Sequence, residues 1–133
     1  MTLCEFYRSQ LVLLFSELEP GWEEEPNYKF GYQWNRQVNS YLETFRIVQF
    51  GEFADVSPFV MYTITLPEGF EQTNIFDMTH LYKSRYELSL LMRSSKLQLS
   101  ISRVCSDLDE SMAGFLYRAR AELFDIIDFS VYG

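Results

Sequence analysis

The longest amphipathic pattern in the chain runs from Ser106 to Phe129. Its apolar residues recur every three or four positions: Leu108, Met112, Phe115, Leu116, Ala119, Leu123, Ile126 and Ile127. This spacing places them on one stripe of a helix with about 3.6 residues per turn. Ser106 is the expected N-cap, and three acidic residues follow it at the positive end of the helix dipole. The pattern predicts a long helix whose stripe is buried.

A second helical pattern spans Thr2 to Leu18. Its apolar residues fit one helical face: Leu3, Phe6, Tyr7, Leu11, Leu14, Phe15 and Leu18. Thr2 and Glu5 have the spacing of a capping box, in which each side chain bonds the backbone of the other residue. Pro20 and Gly21 then end the pattern. We expect an N-terminal helix.

Two segments have the composition of strands. From Tyr28 to Trp34, aromatic residues alternate with small or polar ones, which places four rings on one face of a strand. From Phe59 to Leu66 the chain is rich in β-branched and aromatic residues and is flanked by prolines. The β-prone segment from Phe45 to Phe53 is the expected antiparallel partner of the second strand. Before this segment, residues 38–45 have helical spacing behind Asn35, which indicates a helix, and the boundary between helix and strand near Phe45 is open.

The segment from Asp77 to Val104 contains no Gly or Pro. Several of its apolar residues lie on or near one helical stripe: Met78, Leu81, Leu88, Met92, Leu97, Ile101 and Val104. We therefore favour a second long helix. Ser94 and Ser95 interrupt the pattern, and the alternation from Leu97 to Ile101 makes a strand over Lys96 to Arg103 the alternative.

Together these segments predict the fold class. A chain of 133 residues with 47% hydrophobic residues is expected to form one globular domain with a substantial core. We expect an α+β fold in which a small three-stranded antiparallel sheet packs against two long C-terminal helices, with the N-terminal helix covering an edge or the far face.

The overall charge bears on the choice of partner. The chain has 11 basic and 19 acidic residues, a net charge of −8. Such a molecule repels phosphate backbones and anionic membranes, so nucleic acid and membrane partners are not expected. A protein with a basic surface is the favoured partner, although the charge is also consistent with a role in solubility alone. A homo-oligomer is compatible with the sequence.

The sequence contains no complete catalytic or metal-binding motif. His80 is the single histidine, and with Asp77 it supplies two ligands where zinc requires three or four. Cys4 and Cys105 lie on apolar patterns, so we expect both thiols to be buried, free and unreactive. No cofactor is predicted. Because no signal peptide or membrane span is recognised and no disulfide framework is present, we expect a cytoplasmic protein.

Asp125 and Asp128 are unusual because they lie near the end of the predicted C-terminal helix, where negative charge opposes the helix dipole. Two explanations are open. A basic neighbour within the fold neutralises them, and the cation-rich segment from His80 to Arg103 is the favoured source. Alternatively, the two carboxylates face a binding partner.

The segment from Trp22 to Tyr28 combines large rings with three consecutive acidic residues, Glu23, Glu24 and Glu25. We interpret it as an exposed loop. Aromatic anchors surrounded by polar groups are typical of protein interfaces, although Trp22 packed onto its own sheet is the more common arrangement.

From these features we predict a non-enzymatic, acidic protein that binds another protein as an inhibitor, an immunity or antitoxin-like protector, or an adaptor. The predicted binding residues are Trp22, Glu23, Glu24, Glu25, Tyr28, Asp125 and Asp128. Two alternatives remain open: an enzyme that uses carboxylates with a bound divalent cation, and an acidic mimic of nucleic acid.

Overall fold

A computed structural model describes residues 2–49, 57–68, 75 and 82–132 of the chain, with side chains through residue 128. These residues form two α-helices, α1 (Leu3–Glu17) and α2 (Met112–Tyr132). They also form six strands: β1 (Glu23–Glu24), β2 (Gly31–Val38), β3 (Tyr41–Val48), β4 (Phe59–Thr65), β5 (Glu87–Arg93) and β6 (Lys96–Val104). Neither of these helices has the length and apolar composition needed to cross a membrane.

The six strands form one sheet in the order β1-β2-β3-β4-β6-β5, and all neighbouring strands are antiparallel. Two-residue turns join β2 to β3 and β5 to β6. In the second turn Ser94 and Ser95 both have left-handed backbone conformations, with φ of 52° and 64°. Positive φ at both central residues is the geometry of the type I′ turn, which matches the twist of a hairpin.

Both helices pack on one face of the sheet. That face consists of alternating residues of β2, β3, β4 and β6: Trp34, Phe45, Ile47, Val60, Tyr62, Ile64, Leu97, Leu99 and Ile101. Phe45 of β3 contacts both helices, since its ring centroid lies 6.5 Å from that of Phe15 in α1 and 5.8 Å from that of Phe115 in α2. Ile75, which is fully buried, belongs to the same core.

The helix starts agree with the sequence in one case and differ in the other. At α1, the predicted capping box between Thr2 and Glu5 is confirmed. At the C-terminal helix, the predicted N-cap at Ser106 is wrong, because Cys105–Asp107 forms a short 3₁₀ turn and α2 begins at Met112. Ser111 caps it instead, since its Oγ accepts a hydrogen bond from the backbone N–H of Gly114 at 3.1 Å.

The predicted arrangement of the α+β fold is wrong, because the sheet formed by the described residues has six strands rather than three, and one helix among those residues lies C-terminal to it rather than two. The described part of the expected Asp77–Val104 helix is the β5–β6 hairpin, and the strand alternative over Lys96 to Arg103 is confirmed. Residues 38–45 are also extended, because they belong to the β2–β3 hairpin.

The central pairing of the sheet follows the prediction in part. The strand expected over Phe59 to Leu66 is β4, and it pairs antiparallel with β3 from Val48↔Phe59 to Leu42↔Thr65. The partner is displaced along the chain, since β3 spans Tyr41–Val48 rather than Phe45 to Phe53. The aromatic strand is displaced along the chain, since β2 spans Gly31–Val38 rather than Tyr28 to Trp34. Its inward aromatic residues are Tyr32 and Trp34.

Candidate functional site

The acidic segment lies at one edge of the sheet. Glu23 and Glu24 form the short edge strand β1 and pair with Asn35 and Trp34 of β2, so this part of the expected loop is a strand. Both glutamate side chains are exposed. A salt bridge of 2.9 Å joins Glu24 to Arg8 of α1, and each partner keeps more than a third of its side chain exposed. The β1 edge therefore presents carboxylates to solvent.

Trp22, by contrast, packs on the protein's own core. Its ring is half-buried and stacks on Phe15 of α1, with centroids 4.5 Å apart and planes 15° from parallel. The guanidinium of Arg36 lies 5.4 Å from the centre of the indole ring. The indole Nε1 is buried and has no hydrogen-bond partner among the described residues. This placement corresponds to the alternative in which the ring serves the fold.

Tyr28 lies beside Arg46 of β3, whose guanidinium is 5.9 Å from the centre of the tyrosine ring. The edge of the Phe30 ring also contacts it, with centroids 6.0 Å apart. Burial raises the pKa of the Tyr28 hydroxyl. Tyr28 is thus half-buried, and part of its ring surface contacts other residues of the chain.

Asp125 and Asp128 are exposed on α2. Within the described part of the chain, neither carboxylate forms an ion pair with a basic side chain. The last turn of α2 contains no basic residue that would balance them. The favoured explanation, a basic neighbour within the fold, is therefore not found among the described residues.

The cation-rich and acidic segments do contact each other, but through acidic residues that precede α2 in the chain. Arg85 binds both carboxylate oxygens of Asp109, at 2.7 and 2.9 Å, and contacts Glu110 at 3.3 Å. The hydroxyl of Tyr86 donates a hydrogen bond to Glu110. Burial, followed by that bond, raises the pKa of Tyr86 to about 12. The contact holds the start of β5 against the segment that precedes α2.

A second charge cluster, which we call the buried cluster, consists of Glu19, Arg36, Glu43, Tyr62 and Arg120. Glu43 of β3 is fully buried. Its carboxylate binds Arg36 of β2 at 2.7 Å and Arg120 of α2 at 2.8 Å, and accepts a hydrogen bond from the Tyr62 hydroxyl. Glu19, after α1, contacts Arg120 at 2.6 Å and Arg36 at 3.5 Å. Five separate segments of the fold are joined through these side chains.

The buried cluster balances two guanidinium groups with two carboxylates, so it needs no external ion. Burial, followed by the Glu43 charge and hydrogen bond, raises the pKa of Tyr62. Burial by itself lowers the pKa of Arg120, but its bonds to Glu19 and Tyr62 and the charge of Glu43 give a net increase. A neutral tyrosine and permanently charged arginines fit a structural role better than proton transfer.

Sequence reasoning missed this cluster, although one signal was available. Glu43 lies between Tyr41 and Phe45 in the inward-facing alternation of β3, where an apolar residue is expected. A carboxylate at such a position requires cationic or hydrogen-bonding partners inside the fold.

Asp77 and His80, which supply too few ligands for zinc, lie outside the described residues. Among those that are described, no group of three or more His, Cys, Asp or Glu side chains is placed to hold a metal ion. Cys4 and Cys105 are buried and free, as predicted. Burial raises the pKa of both thiols, that of Cys105 to about 12, so neither is disposed to act as a nucleophile.

In comparisons with known proteins, no family model, curated protein or solved structure matched the chain.

Proposed function

We propose that this chain is a non-catalytic binding protein that docks, through its acidic surface, on a partner protein with a basic surface. The main support for the proposal is the exposure of Asp125 and Asp128 and their lack of an ion-pair partner among the described residues. Both are exposed on the C-terminal half of α2, and no described residue forms an ion pair with either. Because α2 continues to Tyr132, both residues lie before its last turn, where the helix dipole has little effect on them. They are therefore exposed charges with which a basic partner surface can pair.

The exposed carboxylates of β1 support the same assignment. Glu23 and Glu24 project from the sheet edge, and the chain just before them is held against α2 by the bond between Glu19 and Arg120. This bond ties the segment that precedes the acidic strand to α2. Inhibition, protection or bridging of the partner would each follow from occupation of its basic surface.

The first test separates stability from binding. Asp125→Asn with Asp128→Asn should change the free energy of unfolding by less than about 1 kcal/mol, because both side chains are exposed and lie before the last turn of α2. A partner captured by the wild-type chain and then purified should bind this variant more weakly. Asp107→Asn with Glu87→Gln, which neutralises two exposed acids elsewhere, is the matched control. Equal binding of wild type and the Asp125/Asp128 variant would contradict the proposal.

The second test concerns the β1 edge. Replacing Glu23, Glu24 and Glu25 with Gln should slow association with the same purified partner, because charges at the surface steer the encounter. The difference from wild type should vanish as salt is raised, since at about 0.15 M the screening length is near 8 Å. Unchanged association rates at low salt would show that this edge lies outside the interface.

A further inference from the structure

The sheet has a second face, which we call the helix-free face because neither α1 nor α2 packs on it. Its middle consists of one row of small polar residues that lie directly opposite one another across five strands, from β2 to β5. In spatial order the row is Asn35, Thr44, Thr63, Ser100 and Ser89. With strands about 4.8 Å apart, such a row extends about 19 Å.

Hydrogen bonds run along this row. Thr44 Oγ1 donates to Asn35 Oδ1 at 3.0 Å, and the hydroxyls of Thr63 and Ser100 are 2.8 Å apart. Thr44 and Thr63 are only 4% and 2% exposed. The flanking rows contain longer side chains, among them Arg46, Met61, Leu42 and Gln98. The longer neighbours therefore cover the middle of the polar row, whereas its ends at Asn35 and Ser89 are more exposed; we call this row the trough.

Arginine side chains lie on both sides of this trough. Arg46 donates a hydrogen bond to Gln33 at 2.7 Å and lies over the ring of Tyr28. Arg93, at the end of β5, is exposed on the same face. Among the described residues, neither guanidinium forms an ion pair with a carboxylate. Burial lowers the pKa of Arg46, and the nearby positive charge of Arg93 adds to that effect.

The β5 end of this face is positively charged, although the whole molecule is acidic. Lys96 lies directly opposite Arg93 and adds a third cation. The acidic residues at outward positions of the described strands are Glu87, in β5, and Glu23, which lies opposite Asn35 at the β1 edge. The chain as a whole carries −8. Two guanidiniums that have no carboxylate partner among the described residues, beside a row of hydroxyl groups, are an arrangement that binds carboxylates, which arginine can hold through paired N–H bonds.

We propose that the trough between Arg46 and Arg93 binds an extended, acidic segment of a partner protein. Arg46 and Arg93 hold acidic side chains of that segment. Hydroxyl and amide groups in and beside the trough, such as those of Ser89 and Gln98, bond its backbone. A segment of about six residues in extended form spans the five strands. Arg93 lies at the β5 edge, far from the acidic strand β1, whose Glu23 lies opposite Asn35 at the other end of the same face.

The experiment uses the full chain and a fluorescent peptide of about eight residues in which Glu and Ser alternate, a length that covers the trough. Fluorescence anisotropy at low salt should show saturable binding, although the protein and the peptide are both acidic. Peptides in which Gln or Lys replaces every Glu are the controls. Absence of saturable binding, or equal binding of the Gln peptide, would overturn the proposal.

Variants locate the binding. Arg46→Gln and Arg93→Gln should each weaken binding by about tenfold, since close charge pairs supply coupling of that size or more. Lys83→Gln removes an exposed cation outside the face and should change affinity by less than about twofold. Ser89→Glu, which places a carboxylate in the trough, should abolish binding. Arg93 and Ser89 are exposed, so their variants remain informative even if Arg46→Gln fails to fold.

Two further outcomes decide the chemistry of the ligand. Competition by inorganic phosphate as effective as that of the peptide would overturn the peptide assignment in favour of a small-anion site. Equal weakening by Lys83→Gln and Arg93→Gln would show that general charge, rather than the trough, attracts the peptide. The Asp125→Asn and Asp128→Asn variant should bind the peptide as well as wild type does, so failure of this proposal is separable from failure of the acidic docking surface.

Discussion

Glu43 shows how a single residue determines which parts of the chain come together. It is fully buried, and its carboxylate is bonded to Arg36, Arg120 and Tyr62 from three different elements. A buried ion pair is often no more stable than a well-packed apolar substitute, but loss of one partner leaves charge uncompensated. Glu43 is therefore expected to be among the positions most sensitive to substitution.

Glu43→Gln should lower the free energy of unfolding by about 3 kcal/mol or more, because two arginines then lose their buried counter-charge. Urea denaturation measures the difference. Arg118→Gln is the control, since the Arg118 side chain is 53% exposed and lies 4.0 Å from Glu110. Its loss should cost less than about 1 kcal/mol. Equal effects of the two substitutions would show that the cluster contributes little to stability.

Trp22→Ala tests whether this ring serves the fold. Because the indole stacks on Phe15, its removal should lower the free energy of unfolding by about 2–4 kcal/mol, less than for a fully buried tryptophan. Thermal or urea unfolding measures the loss. A change below about 0.5 kcal/mol, together with faster release of a bound partner, would identify Trp22 as an interface anchor instead.

At the scale of elements, the helix ends and faces show how much the sequence pattern could predict. On α2 the predicted apolar positions from Met112 to Ile127 are buried, and Phe115 and Leu123 are fully buried. On α1, however, Leu3 and Phe6 are 41% and 47% exposed. At 100° per residue the seven grouped positions cover about half the circumference, which is more than a helix on a sheet buries. Packing, rather than periodicity, selects which part of the face is covered.

The organising role of α2 leads to a direct prediction. Phe115→Ala and Leu123→Ala should each lower the free energy of unfolding by about 2–5 kcal/mol, because both remove fully buried side chains between the helix and the sheet. Tyr117→Ala, at a side chain 44% exposed on the same helix, is the control. Chemical denaturation of the three variants compares them, and losses below about 1 kcal/mol at both buried sites would contradict the observed helix orientation.

The β5–β6 hairpin is the element for which the sequence pattern favoured the wrong structure. Leu88, Met92 and Ile101 fall near helical spacing, yet the residues between them also alternate, so periodicity alone did not distinguish the two structures. Ser94 and Ser95, which form the turn, are the residues whose conformation distinguishes the hairpin from a helix. They are rare at left-handed positions compared with Asn and Gly, so the turn lacked its usual sequence signal.

Substitution at that turn distinguishes hairpin from helix. Ser94→Asn with Ser95→Gly should raise the free energy of unfolding by about 0.5–1 kcal/mol, because both replacements suit positive φ better than serine does. In a helix the same glycine would be destabilising by a similar amount. Ser9→Gly in α1 is the control and should lower stability. Thermal melts of the three proteins give the sign, and a loss for the turn variant would contradict the hairpin.

At the scale of the whole molecule, the sequence predicted the α+β class, the central β3–β4 pairing and the two terminal helices, because local patterns specify these features. It did not predict the six-stranded order. The placement of β6 between β4 and β5 depends on contacts between distant segments, such as Tyr62↔Ile101 and Leu90↔Leu99. The trough on the helix-free face likewise appears only when the register of five strands is known.

Because the strands and helices bury several thiols and phenols, the free energy of unfolding depends on pH in the alkaline range. Several thiols and phenols have raised pKa values in the folded chain, from 9.0 to about 12 for Cys105 and from 10.0 to about 12 for Tyr82 and Tyr86, with burial the largest cause each time. A group whose pKa is raised by folding contributes stability below its unfolded value and loses it as pH rises through the folded value. The free energy of unfolding should therefore stay level up to about pH 9 and fall between about pH 9 and 12.

Removal of the thiols separates their contribution from that of the phenols. In a Cys4→Ala and Cys105→Ala variant, the pH at which stability begins to fall should move from about 9 to about 10, because tyrosines with an ordinary pKa of 10.0 then titrate first. Urea midpoints at successive pH values compare the onset, which is independent of any constant loss caused by the smaller side chains. Slow reaction of the wild-type thiols with an aromatic disulfide reagent in the absence of denaturant is the accompanying control. An unchanged onset, or rapid labelling, would show that the two cysteines are not buried in solution.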